Sequence, residues 1–319
     1  MMRKIRCKWS SLALGLLFVT VTIQAQDSLS KKAEEHSPHL ALEQKRNKKR
    51  LRKVILSESA LYAAELVFLQ FIWYKNHKTT PFHFYDDNDG WLQIDKYGHA
   101  FGAYQETAKS YEALRWAGVS NTKAAWYGGL AGFMLQSQLE IYDAFYEGYG
   151  FSVGDVAANA LGSLLFVVQQ TTLRDQPVKM KFSYLPSGYP QYNPFYLGEN
   201  QLQSFFMDYN AHTYWLSFNV PGSRREKSWW PAWLNLAVGY SANGMLDEFR
   251  NPAFLRGRAV PNLPRYRQFL FSLDIDFSKI KTRSRFLKKV FNFINFLKVP
   301  APTLEWNRVQ GTRFHLFYF

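Results

Sequence analysis

The sequence predicts an α+β protein: an N-terminal antiparallel four-helix bundle followed by an antiparallel β-region, either a sheet or a small outer-membrane-type barrel. Two observations carry the prediction. From about residue 54 to residue 172 apolar side chains recur with a helical period, and after Pro177 the period changes to two. A third observation bears on surroundings. The 319 residues include 27 Phe, 19 Tyr and 10 Trp, more than a soluble enzyme ordinarily needs and common in membrane-facing and β-rich chains. Charged residues at 20% beside hydrophobic residues at 47% exclude wholesale disorder. A mean hydropathy of −0.29 excludes a polytopic transporter.

Residues 1–25 read as a signal peptide: a basic start (Arg3, Lys4, Arg6, Lys8), an apolar run from Leu12 to Val21, and the small residue Ala25 for cleavage. The apolar run is short for a membrane anchor. The single cysteine, Cys7, lies in the basic start, so lipidation after the apolar run is not expected, nor are disulfides or thiolate chemistry in the mature chain. The signal carries four of the fourteen net positive charges. Residues 26–53 read as a basic flexible segment ending in Lys45, Arg46, Lys48, Lys49, Arg50, Arg52 and Lys53. An exported chain rarely meets nucleic acid, so this run reads as a solvated face or as attraction to anionic lipid or polymer.

Helices are expected near 57–74, 96–117, 122–145 and 153–170, in a bundle domain over residues 54–176. Asn121 and Ser152 stand where N-caps belong and Gly118 where a C-cap belongs. Short loops point to an antiparallel bundle. Glu58, Glu65 and Gln70 interrupt the first helix, and the apolar stretches 124–135 and 156–168 fall short of the ~20 residues a span requires.

The β-region covers residues 177–319. Tyr214, Leu216, Phe218 and Val220 alternate with Trp215, Ser217 and Asn219, and the same rhythm marks 234–241 and 269–277. Each such strand has one apolar face and one small or polar face. Weaker strands are expected at 179–185 and 303–307. An amphipathic basic helix near 283–297 interrupts the series. The last segment ends on Phe319 and resembles the closing strand of outer-membrane barrels, except for His315. Three or four convincing strands set against the eight of the smallest barrels leave sheet and barrel both open.

Three short motifs could carry chemistry. Asp95 and His99 are four residues apart, Glu140 and Asp143 three, and Asp155 and Asn159 four, with Gly162 on the same face. Each pair therefore shares a helix face. If the faces converge, one imidazole and several carboxylates meet inside the bundle. His99, Glu140, Asp143 and Asp155 would then suit a divalent metal, or His99 could act as a base with Asp155 and Glu140 as catalytic partners. The competing reading is structural. Asp95 caps a helix, Ser152 and Asp155 form a capping box, and Asp95, Lys96, Asn159 and Gly162 belong to a polar network that fixes helix register. Asp86-Asp87-Asn88-Asp89-Gly90 fails the calcium-hand pattern and reads as an acidic turn. Gly128, Gly129 and Gly132 follow no strand and form no nucleotide loop.

Taken in order, Asp95-Lys96-x-x-His99, Glu140-x-x-Asp143 and Gly150-Phe-Ser152-x-x-Asp155-x-x-x-Asn159-x-x-Gly162 resemble the YfiM-like lipoprotein family (domain of unknown function 2279) over about 91–168, with a β-rich extension as in Bacteroidota versions. The missing lipobox cysteine departs from that family. A more distant likeness is to VanZ-like membrane proteins, from which the chain departs by having Gly148-Tyr149-Gly150 where an arginine is usual. The signal peptide, the aromatic-rich strands ending on Phe319 and this resemblance together point to an exported protein of the periplasm or outer membrane of a Gram-negative cell. Its expected partners are the outer membrane or its periplasmic face, other envelope proteins or an anionic envelope polymer. No reaction is implied. The leading expectation is a structural or membrane-assembly role. The alternative is a metal-dependent enzyme or hydrolase acting on a lipid or cell-wall substrate.

Overall fold

The computed structural model describes residues 47–75, 77–221, 229–255 and 257–319. The expected signal peptide, the segment up to Gln44, and Lys45 and Arg46 lie outside the described residues. Helix α1 (Lys48–Phe68) opens earlier than expected, because Asn47 caps it by accepting from Arg50 N at 3.0 Å. Arginine and lysine are good helix formers once a cap is present. Lys48, Lys49, Arg50, Arg52 and Lys53 thus form helical turns and are not part of a flexible segment. The helix ends in one π-helical turn, Leu69–Trp73. Contrary to the sequence reading, Lys48–Phe71 is long and apolar enough to cross a membrane by length and composition. Its acidic residues point to the bundle: Ser110 Oγ donates to Glu58 at 2.9 Å and Gln138 donates to Glu65.

After a long connection come α2 (Ile94–Trp116), α3 (Asn121–Asp143) and α4 (Val153–Thr172). Small residues bring these three close. A Cβ on Gly132 would sit 2.4 Å from Thr107 Oγ1 on α2, and one on Gly162 would sit 2.0 Å from the Ala100 carbonyl oxygen. The glycines of α3 thus serve packing. Ser152 caps α4 as expected, accepting from Asp155 N at 3.1 Å. Asn121 does not cap α3. Ser120 holds that position, and the Asn121 amide is used between helices, accepting from Tyr111 OH at 2.8 Å and donating to Gln170 O at 3.1 Å.

The β-region contains β1 (Val178–Tyr184), β2 (His212–Asn219), β3 (Leu234–Asn243), β4 (Phe254–Leu255), β5 (Arg258–Ala259), β6 (Tyr266–Ile275), β7 (Ala301–Asn307) and β8 (Gly311–Tyr318). Helices α5 (Pro194–Leu197), α6 (Gln201–Met207) and α7 (Arg285–Ile294) lie between strands. Six strands form one antiparallel sheet in the order β1-β2-β3-β6-β7-β8, with β4 and β5 as a separate ribbon. The sheet is open: β1 and β8 do not pair, so the barrel alternative is set aside. The β1 edge is bonded at Phe182, which donates to Phe296 O and accepts from Lys298 N at 2.9 and 2.8 Å.

The two faces of this sheet have inverted polarity. One cross-strand row reads Ser217, Ala237, Ser272, Thr303, and all four are buried. The same face buries Lys181, Asn235, Asp274 and Glu305 at 2% exposure or less. Lys181 Nζ pairs with Asp274 Oδ2 at 2.7 Å, Ser217 Oγ donates to Asp274 at 2.6 Å, and Asn235 Nδ2 donates to Ser217 Oγ at 2.9 Å. The next row, on the opposite face, reads Leu216, Val238, Phe271, Leu304, Phe314. Helix α2 covers part of this apolar face near β1–β3, where Phe101 meets Phe182 and Tyr214 and where Tyr97 stacks on Tyr240 at 4.3 Å. Over β6–β8 the apolar face is left open, with Phe271 52%, Leu304 48% and Phe314 67% exposed.

Candidate functional site

Helix α2 is aimed by the β-region. Just before it, Trp91, Leu92 and Gln93 take left-handed backbone angles (φ 46°, 51° and 65°), at a cost of roughly 1–2 kcal/mol per residue for side chains with a Cβ. The turn is held from the far end of the sequence. Glu248 O accepts from Trp91 N at 2.9 Å, Tyr240 OH donates to Leu92 O, and Arg267 donates to Gln93 Oε1 at 2.6 Å. Helical geometry therefore begins at Ile94, and Asp95 lies within the first turn, 7% exposed. This corrects its expected role as a cap.

The three helix faces do converge. Lys96 Nζ lies 2.7 Å from Asp87 Oδ1, 2.9 Å from Asp155 Oδ1 and 3.2 Å from Asp95 Oδ2. Burial works against its ammonium, but Asp95, Asp155 and Asp87 outweigh burial and hold the lysine charged beyond its ordinary range. On the other side of Asp155 stands His99. Its Nε2 is 3.5 Å from Glu140 Oε1 and 3.9 Å from Asp155 Oδ1, and its Nδ1 is 3.2 Å from Asn159 Oδ1. Glu140 is anchored through its other oxygen, which accepts from Ser152 N at 3.1 Å.

The environments of these groups differ. Burial pushes Glu140 up to about 10, helped by Asp143 and Asp155. Burial likewise raises Asp143 to about 8 and Asp95 to about 7. For Asp155 burial acts upward too, yet His99, Asp87 and Lys96 prevail and keep it below the ordinary value. Burial pushes the His99 imidazolium down. The site thus holds an ionised Asp155 beside a neutral imidazole and a carboxyl that favours its proton. That combination permits proton exchange between His99 and Glu140, or coordination of a cation by both.

All the residues selected from the sequence lie here, with two differences. Asp143 stands aside from the histidine and accepts from Tyr74 OH. Gly162 contributes only the close approach of α4 to α2. Two members were missed. Asp87, read as part of an acidic turn, accepts from Ser152 Oγ at 2.6 Å and binds Lys96. Tyr74 sits in the connection after α1. Two triads could hold an ion by position: His99, Glu140 and Asp155, and Asp87, Asp95 and Asp155, each with ligand atoms within 4.8 Å of one another. Lys96 already serves as the cation of the second.

No curated protein and no solved structure matches the chain. One family model does: residues 83–171, which include the cluster from Asp87 to Gly162, match the family described as predicted periplasmic lipoprotein (DUF2279).

Proposed function

We propose that the protein is an exported cell-envelope component seated in the outer membrane through the open part of its sheet, with a structural or membrane-assembly role. The inverted polarity of the sheet carries this reading. A half-covered antiparallel sheet in water hides its apolar face and shows its polar one. Here the polar face is buried with its charges paired, while Phe269, Phe271, Leu304, Trp306, Phe314 and Leu316 are 46–67% exposed. Polar inside and apolar outside is the arrangement of sheets that face hydrocarbon. Helix α7 adds a second contact, with Arg285, Lys288 and Lys289 exposed beside Phe286 and Phe293, 73% and 68% exposed. A basic amphipathic helix of this kind lies at anionic lipid surfaces. The periplasmic description of the family agrees with an envelope site.

Fractionation of cells expressing the full chain tests the proposal. The protein is expected in the membrane pellet through salt and alkaline washes, and in solution only with detergent. Phe271→Arg combined with Leu304→Arg places two charges on the exposed face, at about 2–4 kcal/mol each near a bilayer midplane, and should release it while circular dichroism in detergent stays unchanged. Wild-type protein in the soluble fraction, or a double variant that pellets like wild type, contradicts the reading.

A further inference from the structure

We propose that His99 Nε2, Glu140 Oε1 and Asp155 Oδ1 form a binding site for one divalent transition-metal ion, Zn²⁺ by its ligand set. The inference does not rest on membrane seating. Its first support is the tautomer of His99. Asn159 Nδ2 faces Ser137 Oγ at 3.5 Å, which turns Asn159 Oδ1 toward His99 Nδ1 at 3.2 Å. An amide oxygen accepts, so Nδ1 carries the proton and Nε2 presents a lone pair. That lone pair faces two carboxylate oxygens at 3.5 and 3.9 Å. One imidazole nitrogen and two carboxyl oxygens thus lie within 4.8 Å of one another.

The second support is Glu140. It is 1% exposed, and its Oε1 has no hydrogen-bond partner among the described residues. An ion entering here would displace the proton that burial keeps on this carboxyl. Its other oxygen is fixed by Ser152 N, so the free one is held toward His99.

The third support is spacing. Zinc bonds of about 2.0–2.2 Å to imidazole nitrogen and carboxylate oxygen place tetrahedral ligands roughly 3.4 Å apart. The observed 3.5 and 3.9 Å require a contraction of only tenths of an ångström. Asn159 on the distal ring nitrogen is the outer support that metal-bound histidines usually have. Lys96 Nζ lies 2.9 Å from the same Asp155 Oδ1, so it keeps Asp155 ionised and would share that oxygen with the ion. One imidazole and two carboxylates favour zinc over the all-oxygen sites of calcium and magnesium.

The test is Zn²⁺ binding by the detergent-extracted full chain, stripped with EDTA, reloaded and dialysed. About one zinc per chain should remain. At a hundred times the dissociation constant the melting temperature should rise by about 5–10 °C. Glu140→Gln should lose the bound zinc. Asn159→Ala, which removes no ligand, should weaken affinity about 10–100-fold. Wild-type protein that retains no zinc overturns the proposal, as does a folded Glu140→Gln variant that binds like wild type. The wild-type arm is decisive even if a variant misfolds.

Discussion

Lys96→Met should destabilise the protein by about 3–5 kcal/mol, the usual cost of removing one partner from a buried ion network. Its ammonium lies within 3.2 Å of three carboxylates, and Asp95 and Asp155 are 7% and 3% exposed. Methionine keeps the length and much of the volume but leaves those charges facing each other. Part of the loss should return when Asp95→Asn is added, because the second change removes a like charge from the same network. Urea denaturation of the detergent-extracted single and double variants measures both effects. A single variant within 1 kcal/mol of wild type would show that water, not Lys96, neutralises the cluster.

The second large effect is on pH. With EDTA present, stability should fall as pH rises from 6.5 to 7.5. Burial raises Glu140 and Asp143 to about 10 and about 8, so the folded chain keeps two protons that the unfolded chain has already released. A state that binds more protons loses ground as pH rises. Two such groups give roughly 1–3 kcal/mol over that unit. Below pH 6.5 the lowered His99 acts oppositely, since its unfolded imidazole takes up the proton that its folded one refuses. Asp95, raised to about 7, holds a further proton in the folded state over that range and offsets His99, so the decline continues there. Lys96 stays charged in both states throughout and adds no slope. Melting temperatures across pH 5.5–8 for wild type and Glu140→Gln provide the check, and the variant should show a flatter curve. Equal slopes for the two proteins would remove Glu140 as the cause.

Much of this architecture could be read from periodicity. The strands at 212–219, 234–243 and 266–275 were plain in the alternation of Phe, Leu and Val with Ser, Asn and Asp. Alternation gives each strand two faces without saying which one is covered. That Ser217 and Asp274 lie inside while Phe271 lies outside depends on how β7, β8 and α2 are arranged around the sheet. The site divides in the same way. Asp95 with His99 and Asp155 with Asn159 were legible because helical spacing puts each pair on one face. Asp87 was not, since a loop residue has no period, and its pairing with Lys96 depends on the chain path through the left-handed turn at 91–93. That turn in turn depends on Tyr240, Glu248 and Arg267, which no local pattern connects to it. Helix α1 began earlier than expected because its basic run suggested solvent, whereas its cap, Asn47, is a single unremarkable residue.

The most direct measurement uses the fact that Cys7 is the chain's one cysteine. In a Cys7→Ser background, Phe271→Cys, Leu304→Cys and Phe314→Cys each receive an environment-sensitive fluorophore, and the proteins are reconstituted in vesicles. Ser272→Cys, on the covered polar face, serves as the internal control. If the sheet rests in the bilayer, the three outer probes are quenched by nitroxides on the lipid chains and are insensitive to aqueous iodide, and the inner probe is not quenched by lipid. Outer probes quenched by iodide and indifferent to lipid nitroxides would mean that the apolar face does not meet the membrane, and the proposed seat would be wrong.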